Sequence, residues 1–442
     1  MSKNHFLLPC SPINFHQKPS WEDIAEILTQ AEVKKIDDLL EMVSDASLVD
    51  KEELGYLEGF FKDHTDEKLQ NDFIHRTIPD LISMALKLPE LFPDGHIPRL
   101  SREQEQTILL SREQIGSLLA NMFFGTMNKM SWSPYWVQFV DVWYKAPTSS
   151  TVPKPVVAYL HSLLDYFKKL TTGRIDFSEK VGFHRQSKSS VDSANLSTDH
   201  TLAFSNVNVN NNERIGDNAE VEVDFANKDI GFGKTGTQEE ILFGMNPEMC
   251  VAMLFCSTMQ DDESVVISNV LRTGEYSGYG NTLQYVGPCE QSRCRTIVAI
   301  DAMELDYFEN KKEGLLLQLN EKALLRDLNK ALCGFDLVCK VKTTDTVVLG
   351  TGFWGCGAFG GDVYIKFCLQ LLAVSQVDGI SKMNFYTFGN SCFYEKAVEF
   401  MEKLKANKIT VSELWSLISD YRDYVINADG EAINLFEFIT TR

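Results

Sequence analysis

Apolar residues recur at three- and four-residue steps through the first third of the chain, from Trp21 to about Ala146. This spacing places them on one helical face, so the segment is predicted to be a helical bundle with a packed apolar stripe. Ser20 precedes the first run and is a natural N-cap. The runs are residues 21–43, residues 73–86, and a third that starts at Ser101 or Ser111 and passes through Leu118, Leu119, Met122 and Phe123.

The character of the sequence changes after a further helix predicted at residues 153–170. Residues 186–200 are rich in Ser, Asp and Thr, and they are predicted to form a surface loop. Residues 206–212 are nearly all Asn and Val, and they are predicted to form a turn-rich connection.

Short β-type apolar runs alternate with helical stretches in the rest of the chain. This alternation indicates an α/β sheet with helices on its faces. Ligands on such sheets bind outside the carboxyl ends of the strands, so the turns after the strands are the places to search for chemistry. The predicted strands are residues 221–225, 265–270, 296–300, 346–349 and 384–388. The predicted helices are residues 238–255, 317–332, 363–374, 392–404 and 411–425.

The turn after the strand at residues 221–225 is rich in glycine. Three glycines within residues 231–236 let the backbone approach a ligand closely, and the helix that begins near Gln238 favours an anion at its N-terminus. The triplet Gly233-Lys234-Thr235 is how a nucleotide P-loop ends. That motif also needs a glycine five residues before Gly233, where this chain has Lys228, so the spacing excludes a P-loop NTPase.

The triplet Gln238-Glu239-Glu240 opens this helix. Acidic residues in a first turn ordinarily complement the helix dipole, but these also follow a strand exit of the kind that binds ligands. Adjacent helical side chains point about 100° apart, so the two carboxylates cannot easily flank one bond as a conventional glycosidase pair does. We expect one to do proton chemistry and the other to position substrate. Repulsion between the two carboxylates favours a raised pKa for one of them, whereas the helix dipole favours a lowered one. The sequence does not decide which effect prevails.

Residues 350–362 form a second loop of the same kind, with six glycines in thirteen positions. A helix opens at about Asp362, and the loop also carries Phe353, Trp354 and Phe359. Exposed rings beside free amides suit a ligand that has phosphates and flat or sugar faces. Cys356 is interpreted as small apolar filler, because no His lies near it in sequence to activate a nucleophile.

A third segment, residues 274–282, follows the strand at residues 265–270 and places Tyr276 and Tyr279 among glycines. It is either an ordinary turn or a ring that closes over a base. Cys289 and Cys294 form a single pair with no second pair near them. Since a zinc site needs about four ligands, no metal site is expected.

Composition limits the kind of ligand. The 442 residues suggest two or three domains, and 44% hydrophobic residues can fill a large core. No apolar run is long enough for a membrane span, the apolar patch near the N-terminus is too short for a signal peptide, and the ten cysteines are expected to be reduced thiols. The net charge of −20 argues against binding a polyanion through a broad basic surface, so phosphates must be held by a local pocket.

Together these segments resemble the poly(ADP-ribose) glycohydrolase family. The family signature is a glycine-rich loop followed by Gln-Glu-Glu, after a strand that ends like residues 223–227. The likeness covers residues 221–388 in detail. The first loop departs from the family, which has three consecutive glycines and a longer spacer before the triplet, whereas only four residues follow Gly233 here. Further matching motifs are residues 276–279, 297–302, 328–335, 354–362 and 386–389.

The resemblance implies a fold and an activity. The expected fold is α/β, a macrodomain-like mixed sheet flanked by helices at residues 151–442, with an all-helical accessory domain at residues 1–150. The expected reaction is hydrolysis of the ribose–ribose O-glycosidic bonds of poly(ADP-ribose), releasing ADP-ribose, with no cofactor and no metal. The alternative is a reader macrodomain that binds ADP-ribose without hydrolysis. The expected partner is the polymer, free or on ADP-ribosylated proteins. We expect a monomer without DNA or membrane binding, in the nucleus, the cytoplasm or both.

The resemblance also assigns roles to single residues. Glu240 is the expected catalytic acid. Glu239 is expected to bind ribose hydroxyls of the scissile linkage, and Gln238, Asp224 and Asn227 are expected to line the same pocket. The amides of Gly355, Gly357 and Ala358 are expected to bind the diphosphate. The Phe359 ring is expected to pack on the distal ribose and the Phe388 ring near the terminal ribose. Tyr279 is expected to cover the adenine.

Overall fold

The computed structural model of this chain describes residues 4–13, 19–102, 106–127, 138–188, 201–212, 214–215, 219–289, 294–308, 310–342, 346–428 and 432–442. Its helices are α1 (Trp21–Gln30), α2 (Ile36–Ser47), α3 (Gly55–His64), α4 (Glu67–Asp72), α5 (Ile78–Leu86), α6 (Leu88–Leu91), α7 (Arg112–Phe124), α8 (Lys154–Thr171), α9 (Gln238–Met245), α10 (Ala252–Phe255), α11 (Lys311–Gln318), α12 (Glu321–Val341), α13 (Val363–Val374), α14 (Ser391–Ala406), α15 (Val411–Asn427) and α16 (Leu435–Thr440).

The strands are shorter and begin near the N-terminus. They are β1 (His5–Leu7), β2 (His96–Pro98), β3 (Thr107–Ser111), β4 (Lys180–Ser187), β5 (Val207–Asn210), β6 (Val221–Ala226), β7 (Glu263–Leu271), β8 (Gly274–Ser277), β9 (Gln284–Pro288), β10 (Cys294–Asp301), β11 (Val347–Thr351) and β12 (Ile380–Tyr386).

The chain folds as two compact units. Unit 1 comprises Met1–Phe183, Asp229–Ser257 and Ile267–Cys294, and unit 2 comprises His184–Lys228, Thr258–Val266 and Arg295–Arg442. The predicted domain boundary at residue 150 stays a prediction, because compactness alone does not define domains. No helix in the described part of the chain is long and apolar enough to cross a membrane.

Helices dominate unit 1, as the apolar periodicity predicts. Ser20 caps α1 with a capping box, in which its Oγ accepts from the Asp23 amide at 3.2 Å and the Asp23 carboxylate accepts from the Ser20 amide at 3.0 Å. Of the two predicted starts of the third run, Ser111 is correct, since it caps α7 in the same way with Gln114. Two antiparallel pairs, β1 with β2 and β8 with β9, also belong to this unit.

A parallel sheet organises unit 2. Five neighbouring strands of this sheet follow the order β10-β6-β11-β12-β5, and each neighbouring pair among them is parallel. Val223 on β6 pairs in register with Val298 on β10, and both side chains are fully buried. One apolar core of this unit includes residues of β6, β10, β11 and β12 and of α12 to α16. The predicted α/β architecture is therefore present here.

Most predicted elements of this unit are confirmed. The strands at residues 221–225, 265–270, 296–300 and 346–349 correspond to β6, β7, β10 and β11. The helix predicted at residues 363–374 is α13 with the same bounds, and those at residues 392–404 and 411–425 are α14 and α15 with slightly longer ones.

Two predicted helices are divided in the structure. The segment at residues 238–255 is not one helix, because α9 ends at Met245 and Pro247 begins a separate short turn before α10. A proline cannot donate the backbone hydrogen bond that would continue α9. The segment at residues 317–332 belongs to two helices, α11 and α12, and Asn320 caps the second by accepting from the Lys322 amide.

Two strand predictions are wrong in position or in kind. Residues 206–212 were predicted to be a turn-rich connection, but they contain β5, which pairs with β12. The strand predicted at residues 384–388 lies at Ile380–Tyr386 instead. It ends before Phe388, whose positive φ of 48° is incompatible with a strand. Of the predicted loop at residues 186–200, residues 189–200 lie outside the described part of the chain, and β4 extends to Ser187.

Candidate active site

The first glycine loop, residues 231–236, is anchored to the helical part of unit 1. The indole Nε1 of Trp143 donates a 2.7 Å hydrogen bond to the backbone oxygen of Gly233. The Phe232 ring lies 4.9 Å from the Trp143 ring and 5.2 Å from the Phe139 ring, measured between centroids. Aromatic packing and a buried donor therefore fix the middle of this loop.

The loop leads into the capping box of α9. Thr237 is the N-cap residue, and its hydroxyl accepts from the Glu240 amide. Glu240 Oε2 in turn accepts from the Thr237 amide at 3.1 Å, the Thr235 amide at 2.9 Å and the Thr235 hydroxyl at 2.7 Å. The other oxygen, Oε1, accepts from no residue that the structure describes. One half of the carboxylate is thus held rigidly and the other half is available.

Gly233 is required next to that available oxygen. A Cβ atom built on Gly233 would lie only 1.8 Å from Glu240 Oε1 and 2.6 Å from its carboxyl carbon. No side chain fits in that space, so the carboxylate can lie directly against the backbone of the loop. The glycine-rich strand exit found in the sequence therefore shapes the surroundings of Glu240.

Glu239 occupies a different environment from its neighbour. Its side chain is buried, whereas Gln238 and Glu240 are half-buried. Its Oε1 accepts a 3.0 Å hydrogen bond from the Gly231 amide at the start of the loop. The two carboxylates thus contact different parts of the same glycine loop, Glu239 at Gly231 and Glu240 at Thr235.

The tyrosine segment joins the same loop. The Gly280 amide donates to the Gly236 oxygen at 3.0 Å, and Gly236 has a positive φ of 79° with no room for a Cβ atom. Tyr279, next to Gly280, keeps 57% of its surface exposed. Partial burial, and after it the charge of Glu240, raise the pKa of the Tyr279 hydroxyl. Unit 1 therefore brings Tyr279 and the Gln238-Glu239-Glu240 triplet together.

Two residues of this site were not recognised in the sequence. One is Trp143, described above. The other is Tyr159 on α8, whose buried ring packs so closely on Gly244 that a Cβ there would lie 2.0 Å from it. Burial, and after it the charge of Glu240, raise the pKa of Tyr159. Both residues occupy apolar helical positions, so the sequence carries no signal that separates them from ordinary core.

The second glycine loop, in unit 2, leaves several of its amides without a described acceptor. It is closed by hydrogen bonds from the Cys356 amide to the Phe353 oxygen at 3.0 Å and from the Gly361 amide to the Gly355 oxygen at 2.9 Å. No described residue accepts from four other amides of the loop. Successive free N–H groups of this kind form an anion-binding concavity. The four are those of Gly355, Gly357, Ala358 and Phe359.

The glycines of this loop have different reasons to be glycine. Gly355 has a positive φ of 72°, and a Cβ atom there would lie 2.4 Å from the Ala302 Cβ. Gly357 has neither constraint, because no atom of the described residues lies within 4 Å of the position that its Cβ would take. The space above Gly357 is therefore open to a ligand.

The rings of the second loop are less exposed than the sequence suggested. Trp354 was expected to be an exposed ring, but it is fully buried and its Nε1 donates to the Ile300 oxygen at 2.8 Å. It serves as the floor of the loop. Phe359 is half-buried. Burial raises the pKa of the Cys356 thiol, which suits filler and not a nucleophile.

Two further predicted site residues follow strands of the sheet, Phe388 after β12 and Asn227 after β6. Phe388 follows β12, and its ring lies 6.0 Å from Phe353 and 6.4 Å from Phe225. A Cβ on Gly352 would lie 2.5 Å from the Phe388 ring, so this ring packs on the start of the second loop. Asn227 directly follows β6 and is half-buried. Within unit 2, Phe388 and the amide loop are therefore brought together.

Asp224 is the most unusual polar residue in the sheet. It lies within β6 and is fully buried, and neither carboxyl oxygen has a hydrogen-bond partner among the described residues. Burial, and after it the charge of Glu222, raise its pKa well above the ordinary value. Burying a carboxyl group without a hydrogen-bond partner costs free energy, so such groups are rare in folded proteins.

In the ranges given above, no three or more His, Cys, Asp and Glu side chains are grouped so that they could hold a metal ion.

Comparison with known proteins points to one family. Residues 194–395 match the family model described as poly(ADP-ribose) glycohydrolase, macro domain fold, and residues 65–185 match the model for the helical domain of the same enzyme. Poly(ADP-ribose) glycohydrolase 1 of Arabidopsis thaliana is 27% identical in an alignment that covers 90% of this chain and 86% of that protein. Poly(ADP-ribose) glycohydrolase 2 of Caenorhabditis elegans is 29% identical, with 87% and 77% covered. The expected helical domain and macrodomain-type fold are confirmed.

We predict that Asp224→Asn stabilises the folded chain at neutral pH, by about 1 kcal/mol, because an unpartnered buried carboxyl group is costly. The pKa of Asp224 is raised in the folded state. Its proton-linked contribution to the free energy of unfolding is therefore complete below the ordinary pKa and is lost as the pH rises through the folded pKa. Thermal unfolding should therefore show a gain at pH 7 that shrinks toward pH 4.

Asp336→Asn is the matched control for this measurement. Asp336 Oδ2 accepts from Lys340 at 2.7 Å and from Gln186 at 2.9 Å. Burial opposes its ionisation, yet Lys340 and Gln186 hold its pKa below the ordinary value. The control should therefore lose stability at pH 7. A loss in both variants would show that Asp224 is a well-satisfied structural carboxylate.

Proposed function

The chain belongs to the poly(ADP-ribose) glycohydrolase family of glycosidic-bond hydrolases, and on that premise we propose that it hydrolyses the ribose–ribose O-glycosidic bonds of poly(ADP-ribose) and releases ADP-ribose. The observation that carries the proposal is the carboxylate of Glu240. One of its oxygens is fixed by Thr235 and Thr237, and the other has no described partner and lies beside Gly233.

Glu240 performs both proton transfers in this proposal. Its Oε1 first gives a proton to the ribose oxygen that leaves, and the bond from that oxygen to the anomeric carbon breaks. Glu240 Oε1 then takes a proton from water as the water oxygen bonds to the oxocarbenium-like carbon. The three donors on Oε2 keep the carboxyl group from rotating between the two steps. Such acid–base catalysis contributes roughly 10²–10⁴-fold to a rate.

The other members of the triplet and of β6 position the sugar. Glu239, fixed by the Gly231 amide, accepts from ribose hydroxyls of the scissile linkage, with Gln238 beside it. Asp224 and Asn227 line the ribose pocket, and a ligand hydroxyl or amino group would supply the hydrogen bonds that the Asp224 oxygens lack.

The remaining groups hold the rest of ADP-ribose. The free amides of Gly355, Gly357, Ala358 and Phe359 bind the diphosphate, as helix N-termini and nests do in other phosphate sites. The Phe359 and Phe388 rings pack on the distal and terminal riboses. The exposed Tyr279 ring covers the adenine.

A reader macrodomain, which binds ADP-ribose without cleaving it, is the alternative. Incubation of the full chain with poly(ADP-ribose) in EDTA, followed by chromatography, separates the two functions. The proposal predicts free ADP-ribose among the products, with undiminished yield when divalent metals are chelated. Intact polymer that co-elutes with the protein would establish a reader instead.

We predict that Glu240→Gln lowers turnover of the polymer by at least about 10²-fold while ADP-ribose binding stays intact. The amide keeps the shape of the side chain and can accept from Thr235 and Thr237, but it cannot exchange the required proton. Initial rates of ADP-ribose release and calorimetric affinity measure the two effects separately. Turnover above about a tenth of the wild-type rate would remove Glu240 from this role.

Glu413→Gln controls for the loss of a capping group. Glu413 is also the third residue of a helix, α15, and its Oε2 accepts from the Thr410 amide at 2.8 Å and the Thr410 hydroxyl at 3.0 Å. Both variants should show the same small change in thermal stability. Only Glu240→Gln should lose turnover.

We predict that Gly357→Val weakens ADP-ribose binding by at least about tenfold, or 1.4 kcal/mol. The Cβ of the new side chain meets no atom of the described residues and is not strained by a positive φ, so the side chain fills only open space beside the free amides. Gly314→Val is the control, because Gly314 lies in α11 with an ordinary 3.4 Å contact at the Cβ position. Unchanged affinity in folded Gly357→Val would place the phosphate elsewhere.

We predict that Tyr279→Ala weakens ADP-ribose binding by about 1–3 kcal/mol, the usual value of a base stacked on an aromatic ring. Calorimetry on the folded variant measures it. Tyr56→Ala, a half-buried tyrosine on α3, provides the control and should bind as the wild type does. Equal affinities in the two variants would end the assignment of the adenine to Tyr279.

A further inference from the structure

Five charged side chains form an alternating series in the interior of unit 2. In order they are Lys366, Asp327, Arg326, Asp301 and Lys330, and each forms an ion pair with the next. We call this series the charge ladder. Four of the five side chains are at most 4% exposed, and Arg326 is 16% exposed. Positive and negative charges alternate, and a fully buried lysine stands at each end.

The two ends contact different parts of the unit. At one end, Lys366 Nζ lies 4.5 Å from the centre of the Trp354 ring, and a Cβ on Gly355 would lie 3.2 Å from that nitrogen. This ammonium group therefore lies directly beneath the second glycine loop. At the other end, Lys330 Nζ donates to the backbone oxygens of Gln260 at 2.6 Å and Glu263 at 2.8 Å.

The order of the charges leaves positive charge at the ends. Three cations and two anions give the ladder a net charge of +1, and each end lysine has one anionic neighbour where Arg326 has two within the ladder. A further partner of Arg326, Asp261, is 83% exposed and is screened by water. Burial opposes ionisation of Asp327, yet Lys366 and Arg326 hold its pKa below the ordinary value, so the carboxylate stays charged.

We propose that Lys366 is a positioning residue for the diphosphate of the substrate. Its ammonium group supports Gly355 from below and adds a positive charge, shielded from solvent, behind the free amides of the loop. The inference rests on the proposed function and deepens it, because it identifies a cation that assists phosphate binding in a chain whose net charge is −20. At an effective dielectric constant of about 20, a charge several ångströms away is sufficient to change an anion's affinity about tenfold.

The structure offers an internally matched test, since Lys366→Met and Lys330→Met are the same substitution at the two ends of one ladder. Both remove a fully buried ammonium and keep the apolar stem. Thermal unfolding of the full-length variants establishes that they fold. Calorimetry with ADP-ribose, and with adenosine as a probe without phosphate, then measures binding, and initial rates with the polymer separate kcat from KM.

Lys366→Met should weaken ADP-ribose binding about tenfold and raise KM with kcat unchanged, as expected when binding is lost equally in the ground and transition states. Its affinity for adenosine should not change. Lys330→Met should leave ADP-ribose affinity within about twofold of wild type. This change is well below the tenfold change in affinity that corresponds to about 1.4 kcal/mol. Equal effects of the two substitutions would overturn the proposal and make the ladder purely structural.

Asp327→Asn tests the proposal independently if Lys366→Met does not fold. It keeps the shape of the side chain and removes the charge that partly neutralises Lys366, so ADP-ribose affinity should be equal or higher. Weaker binding would overturn the proposal. If wild type binds ADP-ribose and both Lys366→Met and Asp327→Asn fail these expectations, only the role of Lys366 is wrong. If wild type does not bind ADP-ribose at all, the proposed function fails as well.

Discussion

We propose that backbone N–H groups bind the phosphates, and this constraint explains the two glycine loops. The chain carries a net charge of −20, and its overall field opposes a polyanion. Amides attract an anion without adding net charge, but they must be left unpaired by their own protein. The second glycine loop meets this condition, because backbone hydrogen bonds within the loop close it while the amides of Gly355, Gly357, Ala358 and Phe359 remain without described acceptors.

The first glycine loop uses the same backbone groups for a different purpose. At the N-terminus of α9, the amides of Thr235 and Thr237 are satisfied by Glu240 itself. Glu240, the third helical residue of the capping box, is therefore also the residue that we propose as the acid. Its capping hydrogen bonds fix the orientation that catalysis needs. Gly233 leaves the second oxygen free of steric hindrance, and Trp143 holds Gly233 in place.

Much of this arrangement is predictable from the sequence, because glycine clusters after apolar runs mark the strand exits of an α/β sheet. The rest depends on contacts between distant residues. The strand β5 alternates Val with Asn and resembles a turn until Asn208 is seen to donate to Asn384 on β12 at 3.2 Å. Trp354 was expected among exposed rings, since only the tertiary fold reveals that its Nε1 reaches the Ile300 oxygen. Gly233, whose backbone oxygen accepts from the Trp143 indole, lies 90 residues away in sequence.

The affinity of the full chain for ADP-ribose, measured as a function of salt concentration, distinguishes binding by amides from binding by surface cations. Contacts with exposed Lys and Arg side chains lose affinity steeply as salt rises, because counterions are released at each contact. Shielded amides are screened much less. Binding by the loop amides predicts a shallow slope of log affinity against log salt concentration between low and physiological ionic strength. A steep slope would contradict it and would show that surface cations, and not the amides of the second glycine loop, hold the diphosphate.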